Sequence, residues 1–513
     1  MGVDALDAGI LIGAAVLLAA VVAVRVSVGT GTPSLLLYLA LGVALGEDGL
    51  GIEFRDYELT VVLGYCALVL ILAEGGLTTR WSTVRGAMAP AAVLATAGSA
   101  VSVLVVAAAT HWLLGTPWTL ALLLGAVVAS TDAAAVFSVL RRLPLPPRLT
   151  GLLEAESGVN DAPVVIAVVA LSEALAGEPQ HPWWALGLLA LVELAGGAAL
   201  GGLVGWLGVR LVRWMALPSS GLYPVAVLAL CALAYGAGTQ LHLSGFIAVY
   251  LAALVLGNAD LPHRQAVRGF AEGVGWLAQI GLFVLLGLLL APSQLPEVLV
   301  PALLVGGVLL LVARPLSVLV SVSWFRIPLR EQALLSWGGL RGAVPIVLAT
   351  VPAAVGVPGS GNLVELVFVL VVVFTLVQAP TLPWVARRLG LAGTESRELA
   401  VEASPLGAIG ADVLQVRIGP GSRLHGLEVF ELRLPQGADV ALVVRDGRAR
   451  VPEPRTVLRH GDDLLIVAVE EVRAAAEARL HDLDRGGRLA TWSAPGDRAP
   501  GRAAPGQPPQ RQR

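Results

Sequence analysis

The chain has 513 residues, 56% of them hydrophobic and only 14% charged, against about 25% charged in a soluble domain. With a mean hydropathy of +0.79, this composition excludes a soluble globular protein, which would need an implausible number of fully buried helices. A net charge of −3 without a basic stripe excludes a nucleic-acid partner, and the two cysteines, Cys66 and Cys231, lie inside apolar stretches, which argues against disulfide or metal roles.

Apolar stretches close to the ~20 residues that cross a bilayer recur as far as about Leu389. The first, Ala8 to Val24, lacks a basic n-region and a small-residue cleavage site, so it reads as a retained span. About thirteen spans are predicted in all. They run near Asp7–Ser27, Pro33–Gly46, Leu59–Thr79, Ala87–Leu114, Trp118–Leu140, Thr150–Leu175 and Trp184–Val212. The rest run near Leu222–Thr239, Leu243–Asn258, Val274–Ala291, Val298–Ser323, Glu331–Val351 and Leu363–Leu389.

The arginines test this count. Arg25, Arg80, Arg85, Arg141, Arg142, Arg148, Arg210, Arg213, Arg264, Arg268, Arg326, Arg330, Arg387 and Arg388 all fall in alternate loops. The opposite loops hold Glu47, Asp48, Glu53, Glu178 and Glu297, with Arg55 as their basic residue. The positive-inside rule then puts the N-terminus outside the plasma (inner) membrane and the end of the last span in the cytoplasm. Trp112, Trp118, Trp183 and Trp184 read as interfacial anchors.

After Gly393 the composition changes. Ala411 to Val469 is polar with short β-rich runs, Val413–Ile418, Asp439–Val444 and Leu464–Val469, and Asp446-Gly447 is a hairpin-type turn signal. These features predict a small cytoplasmic α+β domain over residues 400–482, behind a membrane domain over residues 1–392. Residues 485–513, rich in Pro, Gly, Arg and Gln, read as a disordered tail.

Four places carry polar groups at membrane depth: Glu74 near the end of the third span, Thr131-Asp132 in the fifth, Glu156, Ser157, Asn160 and Asp161 in the sixth, and Arg314-Pro315, which is expected to break the eleventh. Left unpaired, Asp132, Asp161, Glu156 and Arg314 would cost on the order of 10 kcal/mol together. They must face one another or a water-filled cavity. Ser157 and Asp161 are four apart on one helix face, and Glu156 and Asn160 share the neighbouring stripe. A carboxylate, a hydroxyl and an amide offer oxygen ligands to a small hard cation. Because burial disfavours an ionised carboxylate, such a group can hold either a proton or a cation near neutral pH. Competition for one site is a sufficient mechanism for exchange.

The twelfth span contains Gly338-Gly339-Leu340-Arg341-Gly342 and should be unwound at its middle. Seven spans separate it from the interrupted fifth. An odd offset inverts the orientation, as an inverted repeat requires, and paired broken helices mark the midplane site of many secondary transporters. Asp132 and Arg341 are placed to neutralise helix ends that meet at such a crossing.

Thr131-Asp132, Glu156-Ser157 with Asn160-Asp161, Arg314-Pro315 and Gly339-Leu340-Arg341-Gly342-Ala343 resemble the NhaP-type branch of the monovalent cation/proton antiporters, from about Ala8 to Leu389. The resemblance implies a polytopic all-α fold with two broken crossing helices, usually as a homodimer in the lipid bilayer. It implies that Asp161 binds cation and proton alternately, that Thr131, Ser157 and Glu74 join the ion shell, and that Glu156 and Arg314 form a structural ion pair. Asn160 stands where electrogenic relatives carry a second aspartate, which implies electroneutral exchange. Ala133 departs from the proline that many members carry after Thr-Asp.

Leu424-His425-Gly426, Leu434-Pro435, Ala441 to Gly447 and His460-Gly461-Asp462-Asp463-Leu464 resemble a TrkA-C (RCK-C) domain. No Gly-x-Gly-x-x-Gly after a strand precedes it, so its usual nucleotide-binding partner domain is not expected. The combination resembles the potassium/proton antiporters of the NhaP type.

Several alternatives stay open. Asp132 either neutralises a helix end or ligates the ion, and Glu74 either ligates or reaches the interface. Arg314 and Arg341 read as structural rather than transporting. The TrkA-C-like segment is either an inert assembly domain or the seat of a small-molecule or nucleotide regulator. The function expected is exchange of cytoplasmic potassium for protons without a cofactor, the ion held by Asp161, Ser157 and Thr131. A sodium-selective antiporter is the alternative. A gated cation channel is the rival from another class, but no Thr-Val-Gly-Tyr-Gly filter is present. An enzyme is not expected, since no catalytic triad, zinc motif or P-loop occurs.

Overall fold

The structure is a computed structural model. It describes residues 3–30, 33–132, 145–177, 183–391, 401–406 and 411–487. The chain divides into two compact units, Met1–Gly393 and Thr394–Arg513. Ala133, Arg141, Arg142, Glu178 and the tail beyond Gly487 lie outside the described residues, as do residues 133–140 of the fifth predicted span.

Every regular element described in the first unit is a helix. In lipid each backbone polar group must be satisfied within its own segment, and long apolar runs meet that demand as helices. Nine described helices are long and apolar enough to cross a membrane, ten if one bent pair is counted as a span. Three shorter apolar helices, Ser34–Leu45, Trp118–Ala129 and Gly245–Asn258, coincide with predicted spans but fall short of that length. Gly9–Ser27 and Gly187–Trp214 bury little of their surface, whereas Tyr57–Thr78 and Ser360–Arg388 bury half or more. Exposed tryptophans, among them Trp112, Trp214, Trp324 and Trp384, stand near helix ends.

The two predicted breaks differ from ordinary turns. Helix Trp118–Ala129 stops at an extended Ser130, and Thr131 and Asp132 follow as irregular chain. Helix Leu329–Gly338 and helix Ala343–Ala354 are bent by 53° about the Gly339–Gly342 link.

Arg314-Pro315, by contrast, does not break its span. The helix runs on as Leu295–Phe325, because the turn before Arg314, Leu309–Ala313, widens to a π turn. A π turn shifts the hydrogen-bond ladder by one residue, and the proline, which has no N–H to give, sits in the first turn after it, where none is needed. A second π turn, Leu94–Gly98, lies in the fourth predicted span. In the predicted span order the two π turns are seven spans apart, like the two breaks. They touch the same neighbourhood: Ser317 Oγ donates to the Gly98 carbonyl at 2.7 Å.

The second unit is an antiparallel five-stranded sheet in the order β1-β2-β5-β3-β4, formed by β1 Val401–Leu406, β2 Ala411–Arg417, β3 Ala438–Arg445, β4 Arg448–Arg450 and β5 Asp463–Val469. β1 was not anticipated. Asp446 and Gly447 both have positive φ, 51° and 74°, the geometry of a type I′ turn, which pairs Arg445 with Arg448. The helix Arg473–Gly486 lays Ala476, Leu480 and Leu483 on the core that Leu414, Val416, Leu464 and Ile466 share. Residues Arg485 and Gly486, expected in the tail, belong to this helix. Asp462 is buried beneath Arg445, which grips it with Nε–Oδ1 2.7 Å and Nη2–Oδ2 2.8 Å, while the Arg459 N–H donates to Oδ2 at 2.8 Å. Burial alone would raise the Asp462 carboxyl, but these bonds outweigh it and hold the group below the usual carboxylate range.

Candidate functional site

The two breaks meet. The Asp132 N–H donates to the Leu340 carbonyl at 3.0 Å, and Asp132 Oδ2 accepts from the Ala343 N–H at 2.9 Å. Asp132 therefore caps the first turn of helix Ala343–Ala354, where unsatisfied N–H groups and the positive dipole end lie. Arg341 does the converse. Its Nη1 donates to the Ala129 carbonyl at 2.6 Å and to the Ser130 carbonyl, at the negative end of helix Trp118–Ala129. Each break thus lends the other the charge its helix end requires, with both side chains buried.

Glycine at two positions follows from this closeness. A side chain at Gly342 would run into the Asp132 carboxylate, and a Cβ at Gly339 would lie 2.6 Å from Arg314 Nε.

Helix Pro147–Ala176 passes the crossing and presents the sixth-span cluster to it. Asp161, 5% exposed, accepts from Ser130 Oγ at 2.7 Å through Oδ1. The hydroxyls of Thr131 and Ser157 face each other at 3.5 Å. Asn160 is engaged through both ends of its amide: the NH2 donates to the Ala129 carbonyl at 3.3 Å and to Thr131 Oγ1 at 3.2 Å, while its Oδ1 accepts from Ser99 Oγ at 2.7 Å. With both functions of the amide engaged, Asn160 ties the break to the neighbouring helices. One turn earlier, Glu156 forms a buried fork with Arg314, Nη1–Oε1 2.6 Å and Nη2–Oε2 2.8 Å. The two residues are 158 apart in sequence, and their pairing locks the sixth and eleventh predicted spans together.

Asp161 and Asp132 line one narrow cleft, together with Glu154, Gly158, Thr79, Tyr250 and Gln279. Thr131 and Ser157 lie outside its lining, at the crossing beside it. Glu74 is half-buried, packed on Gly275 of helix Arg264–Leu288, and is not among the lining residues. The structure thus brings Asp161, Asp132, Thr131, Ser157, Asn160, Arg341, Gly342 and the Glu156–Arg314 pair into one neighbourhood and leaves Glu74 at its margin.

Sequence reasoning did not single out Ser130 or Ser99. A lone serine is common in membrane helices because it can bond its own backbone, so neither carries a signal until its partner is known. A carboxylate next to hydroxyls, at unwound backbone and open to a cleft, can hold a proton or a dehydrated monovalent cation, but not both at once.

Comparison with known proteins gives the same family. Residues 14–388 match the transmembrane sodium/hydrogen exchanger family, and residues 413–481 match the TrkA-C domain. The K(+)/H(+) antiporter NhaP of Alkalimonas amylolytica is 37% identical over 90% of this chain and 82% of its own length. The K(+)/H(+) antiporter NhaP2 of Shewanella baltica is 35% identical over 92% of this chain and 82% of its own length. Among solved structures, the sodium proton antiporter MjNhaP1 of Methanocaldococcus jannaschii superposes with a TM-score of 0.66, over 76% of this chain and 99% of its own, at 24% identity. That likeness speaks for the fold.

Proposed function

The chain belongs to the sodium/hydrogen exchanger family and is a secondary cation/proton antiporter rather than an enzyme, and from that premise we propose that it exchanges cytoplasmic potassium for protons, one for one, by competition at Asp161. The observation that carries this reading is the position of Asp161: buried, bonded to Ser130, and lining the cleft beside two crossed helix breaks. With the proton bound, Asp161 is neutral and the cation is excluded. With the proton gone, the carboxylate and nearby hydroxyls replace part of the cation's hydration shell. One acid supplies one charge, and Asn160 supplies none, so the loaded and protonated carriers differ by no net charge. That is the electrical basis of electroneutral exchange.

Thr131 and Ser157 are assigned to the ion shell, with Asp132 at its edge, while Asn160 braces the break and Glu156 and Arg314 hold its frame. Glu74, outside the cleft lining, is assigned no place in the shell. Potassium is favoured over sodium because the two relatives similar over nearly the whole chain are named for potassium. The alternating arginines support an inner-membrane orientation with the N-terminus outside and the TrkA-C domain in the cytoplasm. That domain is assigned to homodimer assembly and to regulation by a small molecule.

The test is proton flux in everted vesicles on addition of potassium or sodium. Potassium-driven flux that disappears in Asp161→Asn supports the reading. Sodium-only flux keeps the mechanism and overturns the ion, and flux unchanged in Asp161→Asn removes Asp161 as carrier.

A further inference from the structure

Two buried arginines each leave one donor over. Arg314 spends both terminal nitrogens on Glu156, and Arg341 gives Nη1 to the Ala129 and Ser130 carbonyls. The Nε–H of each has no hydrogen-bond partner among the described residues, although Arg314 is only 4% and Arg341 only 2% exposed. Both arginines line one small cavity beside the crossing, together with Gly339, Phe374 and Gln378. That cavity shares no lining residue with the cleft that holds Asp161.

Size and polarity narrow the choice of guest. The cavity has a volume of about 10 Å³, close to the roughly 10–15 Å³ that a single water requires. Its wall is polar at the two Nε–H groups and at Gln378. The Gln378 amide nitrogen is committed to the Trp337 carbonyl at 2.9 Å, leaving the amide oxygen as an acceptor. Gly339 keeps the space beside Arg314 Nε clear of a side chain. A buried cationic N–H without an acceptor is costly. The charges nearby are already matched: Arg314 has Glu156, Arg341 stands at the crossing with Asp132, and Asp161 is a third acid close by. The two left-over donors therefore call for a neutral acceptor rather than an anion.

We infer that a single water molecule is built into this cavity: it accepts from Arg314 Nε and Arg341 Nε and donates to the Gln378 amide oxygen. Three partners are the usual complement of a buried water. The water joins three elements that are distant in sequence, helix Arg314–Val322, the Gly339–Gly342 link and helix Ser360–Arg388. Thr375 Oγ1, one turn before Gln378, donates to the Arg341 carbonyl at 2.8 Å and ties the same helix to the same link. Gln378 thus acts on the crossing through the water, which holds two like-charged guanidinium groups in register without adding charge.

The experiment is X-ray radiolytic labelling of the full chain in lipid nanodiscs, where hydroxyl radicals formed from a bound water oxidise the side chains beside it. Phe374, in the cavity wall, is expected to be oxidised. Phe246, buried between Tyr65 and Tyr235 and lining neither cavity, is expected to stay unlabelled. So is Leu311, exposed on the outer face of the span that carries Arg314. Gln378→Leu removes the acceptor for the water, and the Phe374 label should be lost with it. A Phe374 label no greater than that of Leu311, corrected for intrinsic reactivity, means a dry cavity and overturns the inference. A label undiminished in Gln378→Leu means that water visits without being held there, and overturns it too. If Gln378→Leu fails to accumulate in the membrane, a high-resolution map of the wild-type chain decides. One water-sized peak within about 3.2 Å of both Nε atoms supports the inference. No peak there, or an anomalous peak when bromide replaces chloride, overturns it.

Discussion

At the scale of single residues the site is an exercise in placing charge where lipid forbids it. The Glu156–Arg314 fork is buried on both sides, so removing one partner strands the other. Glu156→Gln should cost about 3–5 kcal/mol, read as a lower unfolding temperature in detergent. Glu156→Leu combined with Arg314→Met should recover most of that loss, since an apolar pair strands no charge. No recovery would mean that the fork does more than neutralise itself. Asp161 makes a different prediction, because the task proposed for it is exchange rather than cohesion. If proton and cation compete for it, the half-saturating cation concentration should fall as pH rises, with the maximal rate unchanged. A pH-independent value would separate the proton site from the cation site.

At the scale of elements the decisive object is the pair of broken helices, each capped by a charge from the other. Asp132→Ala removes the acceptor for the Ala343 N–H and should destabilise the crossing by roughly 1–2 kcal/mol. Asp132→Asn keeps an acceptor oxygen and should cost less stability. Gly342→Ala should be more disruptive than either, since its methyl group has no room beside the Asp132 carboxylate. Thermal unfolding of the three variants in detergent orders them, and Gly342→Ala proving the mildest would refute the close approach. The π turns belong to the same scale. They keep two spans continuous while freeing a carbonyl, that of Gly98, for Ser317.

At the scale of the whole molecule the chain forms two compact units. All residues assigned to the ion path lie before Gly393, so a chain ending there should still exchange cation for proton in vesicles, with Asp161→Asn silencing it. Loss of flux on truncation alone would make the TrkA-C domain part of the transport machinery. Within that domain, Asp462 ties the β5 end of the sheet to Arg445. Its carboxyl is held below its ordinary value when folded, so the unfolded chain takes up the proton first. The resulting stabilisation is complete above about pH 4 and is lost as pH falls below it. Hydrogen exchange at β5 in the intact chain should therefore show protection, corrected for intrinsic rates, falling below that pH in wild type. Asp462→Asn should lack this step.

Much of this protein was legible in the amino-acid sequence because the bilayer makes composition informative. Apolar runs had to be helices, arginines had to alternate, and Asp132, Glu156, Asp161 and Arg314 had to find company in the membrane. The hairpin at Asp446-Gly447 was equally local, since two positive φ angles require those residue types. What the sequence could not supply was who meets whom. Ser130 on Asp161, Ser99 on Asn160, Ala343 on Asp132 and Arg314 on Glu156 are contacts made across 31 to 211 residues. No local pattern records such distances. The same limit explains Arg314-Pro315, where a proline read as a break is absorbed by a π turn one step upstream. It also explains Asn160, whose residue type offers a ligand oxygen but whose bonds to Ser99, Ala129 and Thr131 come from distant segments. Local chemistry fixes which groups cannot stand alone. Only the packing of distant helices decides which of them are satisfied by one another and which remain open to an ion.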